Sequence, residues 1–227
     1  MNRTMFNLGW LALLWALPIS VMGEDPALAA PETAPVVASR PVWENGMAVV
    51  GKVKVDPASR SALVPGWVNQ TCGAIELLAC GPGGKTHESV FVLDVNPLDL
   101  QTALLLLGLK GGEPMKGLGQ GPPRGSPMDL WVEWTGDEGQ RKARAESFVY
   151  NEESRAVLTN TPWIFTGSVI EEGEFKALAE ESLVVTYWDP WAIVNIGLPC
   201  GSNDEILVVN TNAAPAILRA PCNALPV

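Results

Sequence analysis

Alternation of apolar and polar positions dominates the chain from residue 48 onward. In AVVGKVKVD, from Ala48 to Asp56, valines alternate with polar residues at a period of two, which predicts a strand that ends at Asp56-Pro57. Pro65-Gly66 predicts a bend or an edge position in the next extended run. Similar patterns predict strands over 61–69, 74–80, 89–95, 128–134, 143–150, 163–169, 182–188 and 205–210.

Two of these predicted strands are separated by a glycine-rich segment. Gly81-Pro82-Gly83-Gly84 follows 74–80 and precedes 89–95, which predicts that the two strands form a hairpin. Both alternating faces of 89–95 (SVFVLDV) are apolar. This strand is therefore predicted to be covered on both sides.

A leucine-rich helix is predicted to begin at Asn96-Pro97. The Asn96 side chain can accept the first free amides, and Pro97 loses no hydrogen bond at the first helical position. Apolar residues then follow at helical spacing until Gly108, which ends the helix. Leu105 and Leu106 make it apolar nearly all round, so we expect it to be buried. A second, short helix is predicted within 174–181.

These patterns predict an α+β fold: a β-rich domain with an antiparallel or mixed sheet, one buried leucine-rich helix and a long Gly/Pro-rich loop. The loop, 110–127, has ten Gly or Pro among its eighteen residues. We interpret it as a mobile connector, although its basic residues Lys110, Lys116 and Arg124 also suit an anion-binding lid. The predicted domain spans 47–212, and 213–227 is a C-terminal tail.

The first 23 residues have the pattern of a secretory signal peptide. Arg3 precedes an apolar run, and no further charge occurs before Glu24. We predict cleavage after Gly23, with cleavage after Ala29 or an uncleaved anchor as alternatives. Residues 24–46, rich in Pro and Ala, are predicted to be a disordered linker. We expect an exported protein of the periplasm, cell surface or extracellular space, without a stable membrane span after cleavage.

Composition and charge narrow the classes of partner. The 227 residues are 47% hydrophobic and 18% charged, values typical of one globular domain. The net charge of −10 becomes −11 when Arg3 leaves with the signal peptide. Because phosphate affinity comes chiefly from clustered Lys and Arg, nucleic acid is excluded as a partner. An unknown protein or a small ligand is expected instead.

Four cysteines in an exported chain favour two disulfides. Three pairings are open, and we predict Cys72–Cys80 with Cys200–Cys222 because each closes a loop that is short in sequence. A redox partner is the alternative, and it requires free or cofactor-bound cysteines. The chain has no C-x-x-C run of the kind that iron–sulfur ligation usually needs.

The tryptophans that follow the signal peptide are expected to lie mostly in the core or in half-buried sheet positions. The segment Trp188-Asp189-Pro190-Trp191 is the alternative, as an exposed platform for a carbohydrate or a protein.

The most concentrated polar motif is GGKTHES, Gly83 to Ser89, which holds the only histidine, His87. It ends like a phosphate-binding loop, but the first required glycine is replaced by Ala79 and a strand follows where a helix is needed. We therefore reject nucleotide binding. On a strand, His87 and Ser89 would share one face and Glu88 the other.

A divalent metal at His87 would need further ligands from carboxylates. We predict no cofactor and favour a structural histidine held by hydrogen bonds at a hairpin, with the metal site as the alternative. The carboxylates considered as further ligands are Glu76, Asp94 and Glu146.

The motif also carries a resemblance to a known family. Gly84 to Ser89 (GKTHES), feeding the leucine-rich helix, and Trp163 to Ser168 (WIFTGS) resemble the bacterial YdjY domain family. Val68-Asn69, Glu76 and 104–109 also match, and the similarity extends from about Val53 to about Val194. The resemblance implies an exported bacterial domain and no particular reaction.

We expect a non-catalytic binding or accessory module. The alternatives are a metal-binding protein or metal-dependent enzyme centred on His87, and a redox partner. No catalytic residue is assigned. The candidate ligand-binding or metal residues are His87, Glu88, Lys85, Ser89, Glu76 and Glu146.

Overall fold

The structure is a computed structural model that describes residues 37–136 and 138–213. The strands are β1 (Val42–Glu44), β2 (Met47–Val50), β3 (Val53–Asp56), β4 (Ser61–Leu63), β5 (Gly66–Val68), β6 (Leu77–Cys80), β7 (Ser89–Leu93), β8 (Ser126–Met128), β9 (Trp131–Gly136), β10 (Gly139–Arg144), β11 (Val149–Asn151), β12 (Ala156–Val157), β13 (Trp163–Phe165), β14 (Ile170–Glu171), β15 (Glu174–Phe175), β16 (Ser182–Val185), β17 (Val194–Ile196) and β18 (Leu207–Val209). The helices are α1 (Pro97–Leu106) and α2 (Lys176–Glu180), with 3-10 turns at Thr86–Glu88, Ala145–Phe148 and Pro199–Ser202. The predicted β-rich character is confirmed.

Part of the predicted organisation lies outside the described residues. This holds for the signal peptide 1–23, most of the linker 24–46 and the tail beyond 213. Ordered structure nevertheless starts before residue 47, because β1 pairs with β2. In the part of the chain that is described, no helix is both long and apolar enough to cross a membrane.

A mixed sheet of seven strands organises the domain, in the order β5-β7-β6-β16-β17-β13-β8. Two of its pairings, β6 with β7 and β16 with β17, are parallel. Its two faces carry different cores. The larger core includes Phe91 and Val184, while Leu77, Cys80 and Val92 belong to a smaller one. Burial of β7 on both faces confirms the prediction for 89–95.

The first four strands form a separate sheet in the order β1-β2-β3-β4. The single strand predicted for 48–56 is wrong, because β2 and β3 are two arms of a hairpin. Gly51 reverses the chain with a φ of +56°, a conformation that glycine adopts at little cost. The bend at Pro65 carries the chain from β4 into β5, an edge strand of the large sheet, as predicted.

The hairpin predicted between 74–80 and 89–95 is also wrong, because β6 and β7 run parallel. The connection between them reverses twice. The Gly84 amide bonds to the Gly81 carbonyl, and the Glu88 amide bonds to the Lys85 carbonyl. Two reversals restore the original direction, so the second strand lies beside the first without a long crossover.

Helix α1 begins as its sequence predicts. The Asn96 side chain accepts a hydrogen bond from the Leu98 amide at 2.8 Å, and Pro97 occupies the first position. The helix packs against β2, β3 and α2. The expectation of burial all round is wrong, because Leu105 and Leu106 are exposed. Its inner side is buried through Leu100, Ala103 and Leu104.

Segment 110–127 is attached to the domain at several points. Gly111 forms a bridge with Gly125, and the Gly119 amide donates to the Trp188 carbonyl at 2.7 Å. A Cβ atom at Gly121 would lie 2.4 Å from the Trp188 ring, so glycine is needed for this close approach. These contacts argue against a mobile connector.

Smaller sheets complete the domain: β9 with β10, β12-β11-β18, and β14 with β15. The strand predicted for 143–150 is interrupted, since a 3-10 turn separates β10 from β11. The turn buries Phe148, whose ring makes edge contacts with Phe91 and Trp134.

Candidate functional site

One row of apolar side chains crosses five neighbouring strands of the seven-stranded sheet. The register pairs Val68 with Phe91, Phe91 with Ala79, Ala79 with Val184, and Val184 with Val194. Because paired residues point to the same face of a sheet, these five side chains form a continuous floor. All five line a cavity. At about 4.8 Å between strands, this floor row is about 19 Å long.

The cavity above the floor row has a volume of about 970 Å³. The β9–β10 hairpin, here called the flap, forms one wall, and segment 60–68 forms another. Along β9, half-buried Val132 and Trp134 alternate with exposed Trp131 and Glu133. Helix α1 and the turn after it supply Leu100, Leu104, Leu107 and Leu109. Pockets for small ligands are about 300–1,000 Å³ and mostly apolar, so this cavity has the size and lining of a binding site.

Three large apolar residues that line the cavity are exposed to solvent. Leu63 is 56% exposed, Trp67 51% and Trp131 48%. The prediction of core or half-buried sheet positions for most tryptophans does not identify this site. Positions 131 and 134 fall on opposite faces of a strand, so one tryptophan had to face outward.

Paired charges surround the outer face of the flap. Lys142 binds Glu133 at 2.7 Å, and Arg144 binds Asp129 at 2.9 Å. The Lys142 ammonium and the Arg144 guanidinium also lie 5.0 and 5.1 Å from the centre of the Trp131 ring. Such cation–π contacts hold the exposed ring in place.

GGKTHES forms a tight turn rather than the start of a strand. Residues Thr86–Glu88 are a 3-10 turn, and β7 begins only at Ser89. The Ser89 hydroxyl donates to the Lys85 carbonyl at 2.7 Å, beside the bond from the Glu88 amide to the same carbonyl. Ser89 is fully buried. The strand predicted for 89–95 begins at Ser89, and hydrogen bonds to one carbonyl close the turn that precedes it.

Asn69 fastens this turn to the sheet. Its side-chain amide donates to the carbonyls of Thr86 and Ser89, the latter at 2.9 Å, while its backbone amide donates to the Val90 carbonyl at 2.8 Å. The Gln70 side chain donates to the His87 carbonyl. The turn therefore has its conformation fixed from outside as well as from within.

Lys85 lies among several carboxylates. Its ammonium is 2.7 Å from the Glu76 carboxylate and 3.7 Å from that of Glu88. Partial burial disfavours the charged amine, but the hydrogen bond to Glu76 and the charges of Glu76, Glu88 and Asp189 outweigh it, so the pKa of Lys85 is raised. Burial raises the pKa of Asp189 above its usual range. Lys85 is thus a cation that neutralises neighbouring acids.

His87 is the least constrained side chain of the motif. It is 63% exposed, and its Nε2 atom is 3.7 Å from the Glu88 carboxylate, longer than a hydrogen bond. Because Ser89 is buried and donates its hydroxyl to the backbone, it is not available as a nucleophile for His87. The motif fits a structural role better than a catalytic one.

Glu146 belongs to a different polar group. It is buried in the 3-10 turn Ala145–Phe148, where its Oε1 atom accepts from Arg144 Nε at 2.9 Å and from the Thr161 amide at 3.3 Å. Neither of these contacts involves His87. Within 37–136 and 138–213, no group of three or more His, Cys, Asp or Glu side chains is arranged to hold a metal.

The predicted disulfides Cys72–Cys80 and Cys200–Cys222 are not formed, because Cys80 and Cys200 are free thiols. Cys80 faces the smaller core of the large sheet instead of a loop partner, and Cys222 lies outside the described residues. Burial raises the pKa of both free thiols. Since the thiolate is the reactive form, neither is suited to thiol chemistry at neutral pH.

In the glycine-rich segment 81–84, backbone amides bind Glu181, whereas those of a phosphate-binding loop would bind a phosphate. The Glu181 side chain accepts from the Gly83 amide at 2.7 Å, and the Glu181 carbonyl accepts from the Gly81 amide at 2.9 Å. These amides already have an internal acceptor, in agreement with the rejection of this loop as a nucleotide site. The alternative platform at Trp188 is not supported either, since Trp188 is buried and donates to the Ile196 carbonyl at 2.8 Å.

A family model described as YdjY domain matches residues 53–186, more than half of the chain. The matched residues include the GGKTHES turn, helix α1 and the flap. No curated protein and no solved structure matches the chain.

Proposed function

The chain belongs to the YdjY domain family, and we propose that its domain is a non-catalytic binding module for a small apolar molecule. The observation that carries this proposal is a cavity of about 970 Å³ with a largely apolar lining that leaves Leu63 and Trp67 exposed. Phe91, Ala79, Val184 and Val194 are themselves core, so the open part of the cavity lies beside exposed Leu63 and Trp67.

The energetics favour such an occupant. Burial of apolar surface contributes about 25 cal/mol per Å², so a ligand that covers the apolar side chains still exposed in the cavity gains affinity without any charged contact. A ligand would also cover part of Leu63, Trp67 and Trp131, which are otherwise exposed. Exposed apolar clusters of this kind are typical of binding sites.

The GGKTHES turn has a supporting role in this proposal. It fixes the start of β7, the strand that carries Phe91 into the floor row. The Lys85 side chain binds Glu76, and the carbonyls of Thr86 and Ser89 accept from Asn69, so these contacts hold the turn in place. We therefore assign Lys85 and Glu88 to structure and not to chemistry.

We further propose that the module works outside the cytoplasm and is of the α+β class. The pattern of residues 1–23 supports export to the periplasm, cell surface or extracellular space. Support for the class comes from α1 and α2, which pack beside sheets whose pairings are mainly antiparallel.

A binding experiment tests the proposed function. The mature protein is titrated with N-phenyl-1-naphthylamine, a neutral fluorophore that brightens in apolar surroundings. We expect saturable binding of one molecule. In the Leu107→Glu variant a carboxylate enters the cavity wall, and we expect at least about tenfold weaker binding because a buried unpaired carboxylate is costly.

The matched control is Leu105→Glu, which adds the same charge to an exposed position on the same helix and outside the cavity. Circular dichroism checks that both variants are folded, and Val132→Glu on the flap replaces Leu107→Glu if the latter unfolds. Equal binding by the cavity variant and the control, or no binding by the wild type, would overturn the proposal.

A further inference from the structure

We propose that one buried water molecule is a permanent part of this domain, bound between the side chains of Glu146 and Thr161 at the base of the flap. Neither residue lines the cavity, so the inference goes beyond the proposed function and does not rest on it. Two features carry it: polar atoms that are buried without a protein partner, and the contacts that bring the residues bearing these atoms together.

Three buried side chains each keep a polar atom without a hydrogen-bond partner among residues 37–136 and 138–213. The atoms are Oε2 of Glu146, Oγ1 of Thr161 and Nε1 of Trp163. Glu146 and Thr161 are each 1% exposed, and Trp163 is fully buried. Native proteins leave few such atoms, because a polar group that loses its contact with water and gains no hydrogen bond destabilises the fold.

A hydrogen bond and the direction of the backbone bring these residues together. The Thr161 amide donates to Oε1 of Glu146 at 3.3 Å, so the carboxylate lies beside the threonine. Because Pro162 follows, an extended backbone is favoured at Thr161. The Gly197 amide donates to the Pro162 carbonyl at 2.8 Å, which continues the pairing of β13 with β17. Thr161 and Trp163 therefore lie on the same face of an extended segment.

The chemistry of the three atoms selects water. Oε2 of Glu146 accepts a hydrogen bond, Nε1 of Trp163 donates one, and the Thr161 hydroxyl can do either. A cation would meet the Arg144 guanidinium, whose Nε atom binds Oε1 of Glu146 at 2.9 Å, and an anion would meet the carboxylate. Water is neutral and both donates and accepts, and a buried water typically makes about three hydrogen bonds to groups of this kind.

This water would join the flap to the large sheet. Arg144, the last residue of β10, binds Asp129 before β9 at 2.9 Å as well as Glu146. The water extends this line of polar contacts from the Glu146 carboxylate to Thr161, which lies just before β13. Both ends of the flap are thereby tied to the sheet.

Replacement of the Thr161 hydroxyl by a methyl group tests the site. In Thr161→Val we expect the midpoint of urea unfolding to fall by about 0.5 M, because the water loses one of its hydrogen bonds. The matched variant is Thr166→Val, which should show a similar fall. The Thr166 hydroxyl has protein partners, the Ala192 carbonyl and the Asn195 side-chain amide, each at 3.1 Å. A midpoint for Thr161→Val that is unchanged or higher would overturn the proposal, because removal of a buried hydroxyl without any partner does not destabilise a protein.

A crystal structure of the mature wild-type protein distinguishes a water from a direct bond between Thr161 and Glu146, which would also lower the midpoint of Thr161→Val. We expect a solvent peak within about 3.2 Å of both Oε2 of Glu146 and Oγ1 of Thr161. A hydrogen bond that joins these two atoms directly, or the absence of a solvent peak beside them, would overturn the proposal. Binding of the fluorophore is measured separately, so either of these outcomes leaves the proposed function standing.

Discussion

Removal of the Asn69 side chain tests whether GGKTHES is held as a structural turn. In Asn69→Ala, the carbonyls of Thr86 and Ser89 lose the amide that donates to both. A net contribution of about 1 kcal/mol for each hydrogen bond gives about 2 kcal/mol, and a carbonyl left unpaired in a half-buried position raises this to about 3 kcal/mol. Such a loss is a large part of the stability of an ordinary domain, about 5–15 kcal/mol.

The matched variant is His87→Ala, which changes the most prominent residue of the same turn. Because the His87 side chain is 63% exposed and its nearest acid is beyond hydrogen-bond distance, we expect a change within about 0.5 kcal/mol. Urea unfolding followed by circular dichroism measures the free energy of unfolding of both variants. Equal slopes of this free energy against urea concentration show that the variants share the same unfolded state. The reasoning is refuted if Asn69→Ala unfolds like the wild type, or if His87→Ala costs as much as Asn69→Ala.

Two further predictions concern buried titratable groups. The pKa of Asp189 is raised by burial above its usual 3.8, so its neutral form stabilises the fold below about pH 3.8, and this contribution is lost as the pH rises through the folded-state pKa. The Asn side chain of Asp189→Asn stays neutral and can still accept a hydrogen bond from the Trp191 amide. Its unfolding curve should therefore coincide with that of the wild type near pH 3, and the variant should be more stable than the wild type near pH 7. Equal stability of the two proteins near pH 7 would contradict this. The second prediction is that Cys80 and Cys200 titrate as free thiols when the unreduced protein is unfolded. In the native protein Cys80 is fully buried, so it should react only as the fold opens. Absence of these two thiols from the unfolded protein, compared with Cys80→Ser and Cys200→Ser variants, would contradict the assignment of Cys80 and Cys200 as free thiols.

Local signals in the sequence were sufficient where one short segment determines its own structure. The start of α1 depends on Asn96 and Pro97, and the burial of β7 depends on its apolar run alone. The turn at Gly83–Ser89 was recognised as the main polar motif, but its form depends on Asn69, which lies outside the motif. Its 3-10 form therefore follows from hydrogen bonds that the local sequence does not reveal.

The cavity could not be predicted because its floor is assembled from distant segments. Val68, Ala79 and Val184 become neighbours only through the strand order of the large sheet. Sequence periodicity identifies which side of a strand is apolar, but not whether another layer closes over it. The parallel pairing of β6 and β7 was missed for a similar reason, since it follows from two successive reversals and not from the glycines themselves.

The most direct test of the central claim is a crystal structure of the mature protein grown with N-phenyl-1-naphthylamine. We predict one molecule of the fluorophore in the cavity, in contact with Leu63 and Trp67. A cavity closed by the protein's own side chains, with the fluorophore absent or bound elsewhere, would contradict the assignment of this domain as a binding module for an apolar ligand.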